Sequence, residues 1–257
     1  KKAGPRPLVL YVHGGGWMNG DSRHFGSLAD FPAVAARLAS EGFVVAAVEY
    51  RHAAEARFPS QVQDIRAALR FLKGNAAKYG IDSARTGLIG GSAGAHLASI
   101  AAFSCGDASL DAAGTKAEAG SECVQALVGW YGVYDVPALN AARTAGRDSA
   151  IDRLLGCDGP CAPEQLDTVS PVHYLDAKDP PVLLVHGTED KVVPVGQSHI
   201  LEARLKALGV PVEAAYIAGV DHSFVGKTPA QTRAATLRAV NLSFDFLHAR
   251  LDRKGTK

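Results

Sequence analysis

The stretch Thr86-Gly-Leu-Ile-Gly-Gly-Ser-Ala-Gly-Ala-His-Leu-Ala-Ser99 changes character at a single serine. Before Ser92, the run Thr86 to Gly90 is short and apolar, the pattern of a buried strand. After it, Ala93 to Ser104 is Ala-rich and reads as a helix. Gly90, Gly91, Ser92, Ala93 and Gly94 fit G-x-S-x-G. A strand passing directly into a helix must turn sharply there, and small residues at 90 and 94 let the two pack closely around the turn. The serine would then sit above the helix N-terminus, where negative charge is favoured. A glycine-rich turn of this kind can also bind phosphate or merely pack, and the chain has 27 glycines, so the surroundings must decide.

The same rhythm extends in both directions. Leu8 to His13 and Phe43 to Val48 read as strands, with helical spacing between them from Leu28 to Glu41 and a stop at Gly42. Ser60 is placed to cap a helix over about Val62–Tyr79, whose apolar Val62, Ile65, Leu69 and Leu72 recur every three or four residues before Gly80. Val124 to Trp130, Val182 to His186 and Val212 to Ile217 are three further strands. Gln197 to Leu208 and about Pro229 to Leu251 are helical. Strands alternating with helices predict an α/β fold, a mostly parallel sheet of about six strands with helices on both faces. The near-continuous apolar strands agree, because such a sheet is covered on both sides. No repeat or linker divides residues 1–257, which read as one domain. The stretch from about Tyr134 to Asp179 breaks the rhythm and is expected to be a lid-like insertion.

Composition excludes several classes. Hydrophobic residues make up 47% and charged residues 21%, as in ordinary globular proteins. A formal net charge of +1 supplies no global field for nucleic acid or acidic membranes, so neither is expected as a partner. No apolar run approaches the ~18 residues of a membrane span. No secretory leader is visible, since Lys1 leads quickly to Pro5 and Pro7. The four cysteines are more informative. Four cysteines allow three pairings, and local pairing, Cys105 with Cys123 and Cys157 with Cys161, is favoured, since Cys157-Asp-Gly-Pro-Cys161 holds turn residues that suit a small closed loop. Disulfides imply a secreted or periplasmic location, whereas free thiols would fit the cytoplasm. A zinc site is the rival reading, disfavoured because C-x2-C spacing is absent and no histidines cluster nearby.

Two more motifs supply chemistry. His13-Gly-Gly-Gly-Trp17 follows the first strand. Acyl transfer passes through a tetrahedral oxyanion that needs preorganised N–H donors, and glycines let the backbone turn such donors inward. Gly15 and Gly16 are the candidates, with the N–H of Ala93 after the serine. The phosphate-loop pattern G-x-x-x-x-G-K-[ST] is absent. His186-Gly-Thr-Glu-Asp190 follows the fifth strand and Asp221-His222-Ser-Phe224 the sixth. A serine hydroxyl needs an adjacent base, and that base needs a carboxylate to orient it. Ser92, Asp190 and His222 come in the order Ser, Asp/Glu, His, all at C-terminal strand ends on one edge of the sheet, where ligands bind. Glu189 and Asp221 are neighbouring carboxylates that compete for the role of Asp190.

With these motifs in place the chain resembles the α/β-hydrolases, and among them the HGGG-type esterases related to hormone-sensitive lipase. It is most like small carbohydrate esterases of the acetyl-xylan and feruloyl type. The resemblance is carried by VHGGGW at 12–17, VEYRH at 48–52, QDIRAALRFL at 63–72, GLIGGSAGAHLAS at 87–99, VSPVHY at 169–174, HGTEDKVVP at 186–194 and DHSF at 221–224. It implies Ser92, Asp190 and His222 as a catalytic triad and Gly15, Gly16 and Ala93 as oxyanion donors. It also implies hydrolysis of short acyl or hydroxycinnamoyl esters, acetyl or feruloyl, on a plant polysaccharide or a small molecule, without metal or organic cofactor. Such esterases usually carry extra strands or a helical cap before HGGG; only a dozen residues precede it here, which points to an open site or a trimmed chain. Many relatives have Gly where this chain has Ala95. Trp17, Trp130, Tyr131 and Phe224 lie near strand ends or motif loops and are expected to line a substrate pocket. His13 is expected to shape the oxyanion loop, and His96 to be a core or supporting helix residue. An amide or peptide hydrolase shares the same elbow and triad, and a non-catalytic binding module shares the fold, although such modules usually lose a triad member.

Overall fold

In the computed structural model, which describes residues 4–118, 120–142 and 149–252, six strands form one sheet. They are β1 (Arg6–Val12), β2 (Val44–Val48), β3 (Ile81–Gly91), β4 (Ala126–Trp130), β5 (Val182–Gly187) and β6 (Val212–Ile217). The order is β2-β1-β3-β4-β5-β6 and every neighbouring pair is parallel. The chain therefore runs outward from β1 to β2, then crosses back over β1 to β3. That reversal opens a crevice between the C-terminal ends of β1 and β3, the place where open parallel sheets bind ligands.

The helices are α1 (Phe31–Ser40), α2 (Ser60–Gly74), α3 (Ala76–Tyr79), α4 (Ala93–Phe103), α5 (Val136–Ala142), α6 (Ser149–Leu155), α7 (Pro163–Thr168), α8 (Gly196–Ala207) and α9 (Pro229–Leu251). Alternation along the strands sorts the core into two layers. Leu10, Val12, Leu88, Leu127 and Leu184 point to the side covered by α2, α4 and α8. Val9, Tyr11, Ile89, Val128 and Val185 point to the side covered by α1 and α9. Every residue of α4 is buried, which explains why its sequence carries no charged face. The helix from 28 starts instead at Phe31, because Asp30 accepts the Ala33 N–H and caps it there. Ser60 is already inside α2, whose cap position is Pro59 without a side-chain bond.

The stretch 134–179 contains α5, α6 and α7 and the 3-10 turn Pro171–Tyr174; residues 143–148 of it lie outside the described part. Its Val136, Leu139, Ile151, Leu154 and Val169 join the core layer around α4. Disulfides join Cys105 to Cys123 and Cys157 to Cys161. Among the described residues no helix is long and apolar enough to cross a membrane.

Candidate active site

Ser92 sits between β3 and α4 with φ 55 and ψ −124, a conformation L-residues rarely adopt. The close packing expected around it is present. A Cβ on Gly94 would lie 2.1 Å from the Val12 carbonyl oxygen, and one on Gly90 would lie 2.4 Å from that of Gly94. No other residue fits either position, and their absence of side chains lets α4 start directly beneath the serine.

The serine hydroxyl faces His222. Its Oγ lies 3.0 Å from His222 Nε2, and His222 Nδ1 lies 2.8 Å from Asp190 Oδ2. Burial raises the Asp190 carboxyl, but hydrogen bonds from His186 and His222, the His222 charge and the Val193 N–H outweigh it and hold the group at about 2. An ionised carboxylate only accepts, so His222 carries its proton on Nδ1 and leaves Nε2 free to accept the Ser92 O–H. Asp190 Oδ1 is fixed by the Val192 and Val193 N–H groups at 2.9 and 2.8 Å. The competing carboxylates are placed otherwise. Glu189 is exposed, and Asp221 Oδ1 accepts the Lys191 and His222 backbone N–H groups at 2.9 and 2.7 Å.

A cavity of about 450 Å³ opens on Ser92 and His222. Its walls include His13, Gly14, Gly15, Gly16, His24, Gly91, Tyr131, Val192 and Ser223. It lies at the crevice between β1 and β3. Gly15 and Gly16 adopt φ 112 and 60. Ala93 is buried directly after the serine and is not a lining side chain. His13 stacks on Tyr50 at 4.2 Å, and the Tyr50 hydroxyl donates to the His13 carbonyl at 2.9 Å. Burial lowers the His13 pKa, partly offset by the Gly14 carbonyl and Glu49. These contacts brace the glycine loop against β2.

Of the four aromatics expected in the pocket, Tyr131 alone lines it; its ring meets His222 edge-on at 4.7 Å. Trp17, Trp130 and Phe224 are core residues instead, exposed by 3%, 2% and 1%. Trp130 belongs to the α1/α9 layer and donates its indole N–H to Ser243 Oγ at 2.9 Å. Phe224 packs against Trp130 and Tyr131 at 5.3 and 4.8 Å. Trp17 turns inward at φ 62 and donates its indole N–H to His96 Nδ1 at 3.1 Å. His96 in turn bonds the Val169 carbonyl through Nε2 at 2.6 Å, and burial lowers its pKa to about 4, so it is neutral. Trp17, His96 and Val169 thereby tie the glycine loop, the helix behind the serine and the insertion together. Among the described residues of 134–179, none lines the cavity, so that part of the insertion covers core rather than the site.

His186, Val192 and His24 are site neighbours to which motif reading gave no role. His186 is fully buried four residues before Asp190 and opens the quoted motif 186–194, which was the available signal. Val192 lies in the same motif, and His24 lies in none.

The model of the BD-FAE family matches residues 1–205. The chain belongs to that family. BD-FAE proteins are α/β-hydrolases of the hormone-sensitive-lipase kind, in agreement with the sheet described above. This BD-FAE chain is 30% identical to the esterase LipC of Mycobacterium tuberculosis over 248 residues, 95% of this chain and 59% of that protein. It spans about half the length of the curated relatives it matches. Its fold is similar to a truncated carbohydrate esterase from gut microbiota, with TM-score 0.80, 26% identity, and coverage of 98% of this chain and 88% of that one. It is also similar to the propionate-bound esterase Est2 of Thermogutta terrifontis, with TM-score 0.77, 25% identity, and coverage of 99% and 88%.

Proposed function

We propose that this BD-FAE chain is a serine carboxylesterase. The observation that carries the proposal is the unbroken chain of hydrogen bonds from Ser92 through His222 to Asp190, with Ser92 and His222 lining the cavity. Ser92 Oγ attacks the ester carbonyl carbon while His222 Nε2 takes its proton. The resulting oxyanion is received by the N–H groups of Gly15, Gly16 and Ala93, aided by the N-terminus of α4. The carbon–oxygen bond to the alcohol then breaks, and His222 returns the proton to the leaving oxygen. Water repeats the sequence on the acyl-enzyme and frees the acid and Ser92. Asp190 keeps its charge throughout and stabilises the imidazolium.

The substrates are short-chain acyl or hydroxycinnamoyl esters, acetyl or feruloyl, on a plant polysaccharide or a small molecule. Walls of glycines and imidazoles, with Tyr131 and Val192 as larger apolar surfaces, around about 450 Å³ suit a small acyl group with a polar alcohol. The carbohydrate esterase and the propionate-bound esterase among its structural neighbours support the same class. The two disulfides support an oxidising compartment, outside the cell or in the periplasm.

Hydrolysis of p-nitrophenyl acetate, p-nitrophenyl octanoate, methyl ferulate and acetylated xylan by wild type and Ser92→Ala tests the reading. Turnover of the acetyl or feruloyl esters that disappears in Ser92→Ala supports it. A wild type inert on all four, or an active Ser92→Ala, overturns it.

A further inference from the structure

The steps above leave one buried histidine beside the reaction unused. His186 is the penultimate residue of β5, with its side chain fully enclosed. Its Nε2 lies 2.9 Å from the Val193 carbonyl oxygen and 3.2 Å from Asp190 Oδ2. Its Nδ1 lies 2.8 Å from Ser198 Oγ on α8. The carbonyl and the ionised carboxylate can only accept, so Nε2 carries the proton, and Nδ1 accepts from the Ser198 hydroxyl. The Nε2–H thus donates to the Val193 carbonyl and lies within 3.2 Å of the same carboxylate oxygen that holds His222.

Asp190 is held on both oxygens. Oδ1 accepts two backbone N–H groups, and Oδ2 accepts the His222 Nδ1–H at 2.8 Å and faces His186 Nε2 at 3.2 Å. Of these four N–H groups two are main chain and one is His222 itself. His186 is the fourth, the one that a substitution can remove while leaving Ser92, His222 and Asp190 unchanged.

We propose that His186 is a positioning residue for this triad: it anchors Asp190 Oδ2 and draws off part of its charge, so setting the pH at which His222 becomes a base. The proposal rests on the serine hydrolase reading. A carboxylate favours the charged form of a histidine beside it, and a second donor on the same oxygen weakens that pull. Without the His186 N–H, more charge faces His222 and the imidazolium is favoured. The other groups facing His222 are Asp221, paired with Lys191 at 3.7 Å, the Tyr131 ring and the Ser92 hydroxyl, with His24 across the cavity. None of them changes in a His186 variant. Ser198 and Val193, the other neighbours of His186, carry no charge.

The test uses His186→Leu, which fills the space without an N–H, and His186→Gln, whose amide offers an N–H at similar reach. In His186→Leu the acid limb of kcat/KM moves upward by roughly half a unit to one unit. Its kcat falls about tenfold, because a displaced Asp190 misdirects His222, while KM is little changed. His186→Gln returns the limb toward the wild-type position. A purely structural role lowers the melting temperature and leaves the limb in place, and that outcome overturns the proposal. An NMR titration of the wild type needs neither a variant nor a substrate. The His186 Nε2–H signal should shift with the same midpoint as His222, since both share Asp190. An invariant His186 signal overturns the proposal even where His186→Leu does not fold. If the wild type hydrolyses no ester, the esterase reading fails while this titration still decides the coupling.

Discussion

Replacing Asp190 by asparagine tests how much of the reactivity of Ser92 depends on one proton position. In the native site Oδ1 accepts two backbone N–H groups, and Oδ2 accepts the His222 Nδ1–H and faces His186 Nε2 at 3.2 Å. Asparagine has one oxygen, so its NH2 must face a pair of donors whichever way it is turned. With the NH2 toward the backbone, the buried Val193 amide loses its partner, at a cost of roughly 1–3 kcal/mol. With the NH2 toward the imidazoles, His186 keeps the Val193 carbonyl as acceptor, and His222 need only move its proton from Nδ1 to Nε2. The second arrangement costs the fold less and is expected to dominate. It leaves Nε2 protonated, unable to accept from Ser92. The expected loss is about 10⁴-fold in kcat, equivalent to roughly 5 kcal/mol on the barrier. The assay is steady-state hydrolysis of p-nitrophenyl acetate near neutral pH, with thermal unfolding to verify the fold. A folded variant losing less than about tenfold would refute the reasoning and return Glu189 or Asp221 to consideration.

Three further outcomes follow from the same geometry. A methyl on Gly94 meets two carbonyl oxygens, at 2.1 and 2.4 Å, so Gly94→Ala should cost roughly 3 kcal/mol or more. Gly16→Ala meets no atom within 4 Å and should cost only the ~1–2 kcal/mol of its left-handed backbone; denaturant unfolding compares the two, and equal losses contradict the packing described. The Asp190 carboxyl is depressed to about 2 in the folded chain, so its contribution to stability is present above about pH 4 and disappears as pH falls through about 2. The melting-temperature gap between wild type and Asp190→Asn should therefore narrow on acidification, and a constant gap would contradict this. Cys105–Cys123 spans 18 positions and should contribute roughly 3 kcal/mol through loop closure; calorimetry of Cys105→Ser/Cys123→Ser should show a lower midpoint, and an unchanged one refutes the estimate.

Most of the sheet could be read in the sequence because parallel strands buried on both faces leave short apolar runs such as Leu8–Val12 and Val182–Val185. The serine turn was legible because close approach of β3, α4 and β1 excludes side chains at Gly90 and Gly94. Pocket membership was not. Trp17, Tyr131 and Phe224 have φ of 62, 38 and 61, and a left-handed residue sends its side chain where regular strand or helix geometry does not. Sequence position near a motif therefore could not tell the inward Trp17 and Phe224 from the cavity-lining Tyr131. His186 was hidden for a different reason. Its partner Ser198 meets it only when α8 packs beside β5, and although Asp190 is just four residues on, nothing in the sequence says that the two side chains turn toward each other.

The most direct measurement is peptide mass spectrometry after exposure to paraoxon, whose phosphorus accepts an activated serine oxygen and releases p-nitrophenolate. A Ser92 activated by His222 and Asp190 should carry a single diethylphosphoryl group on the peptide containing Gly90–Gly94, with no adduct in Ser92→Ala and far slower labelling in Asp190→Asn. Labelling at another residue, or an unlabelled Ser92 in a protein that hydrolyses esters, would contradict the assignment of Ser92 as the nucleophile.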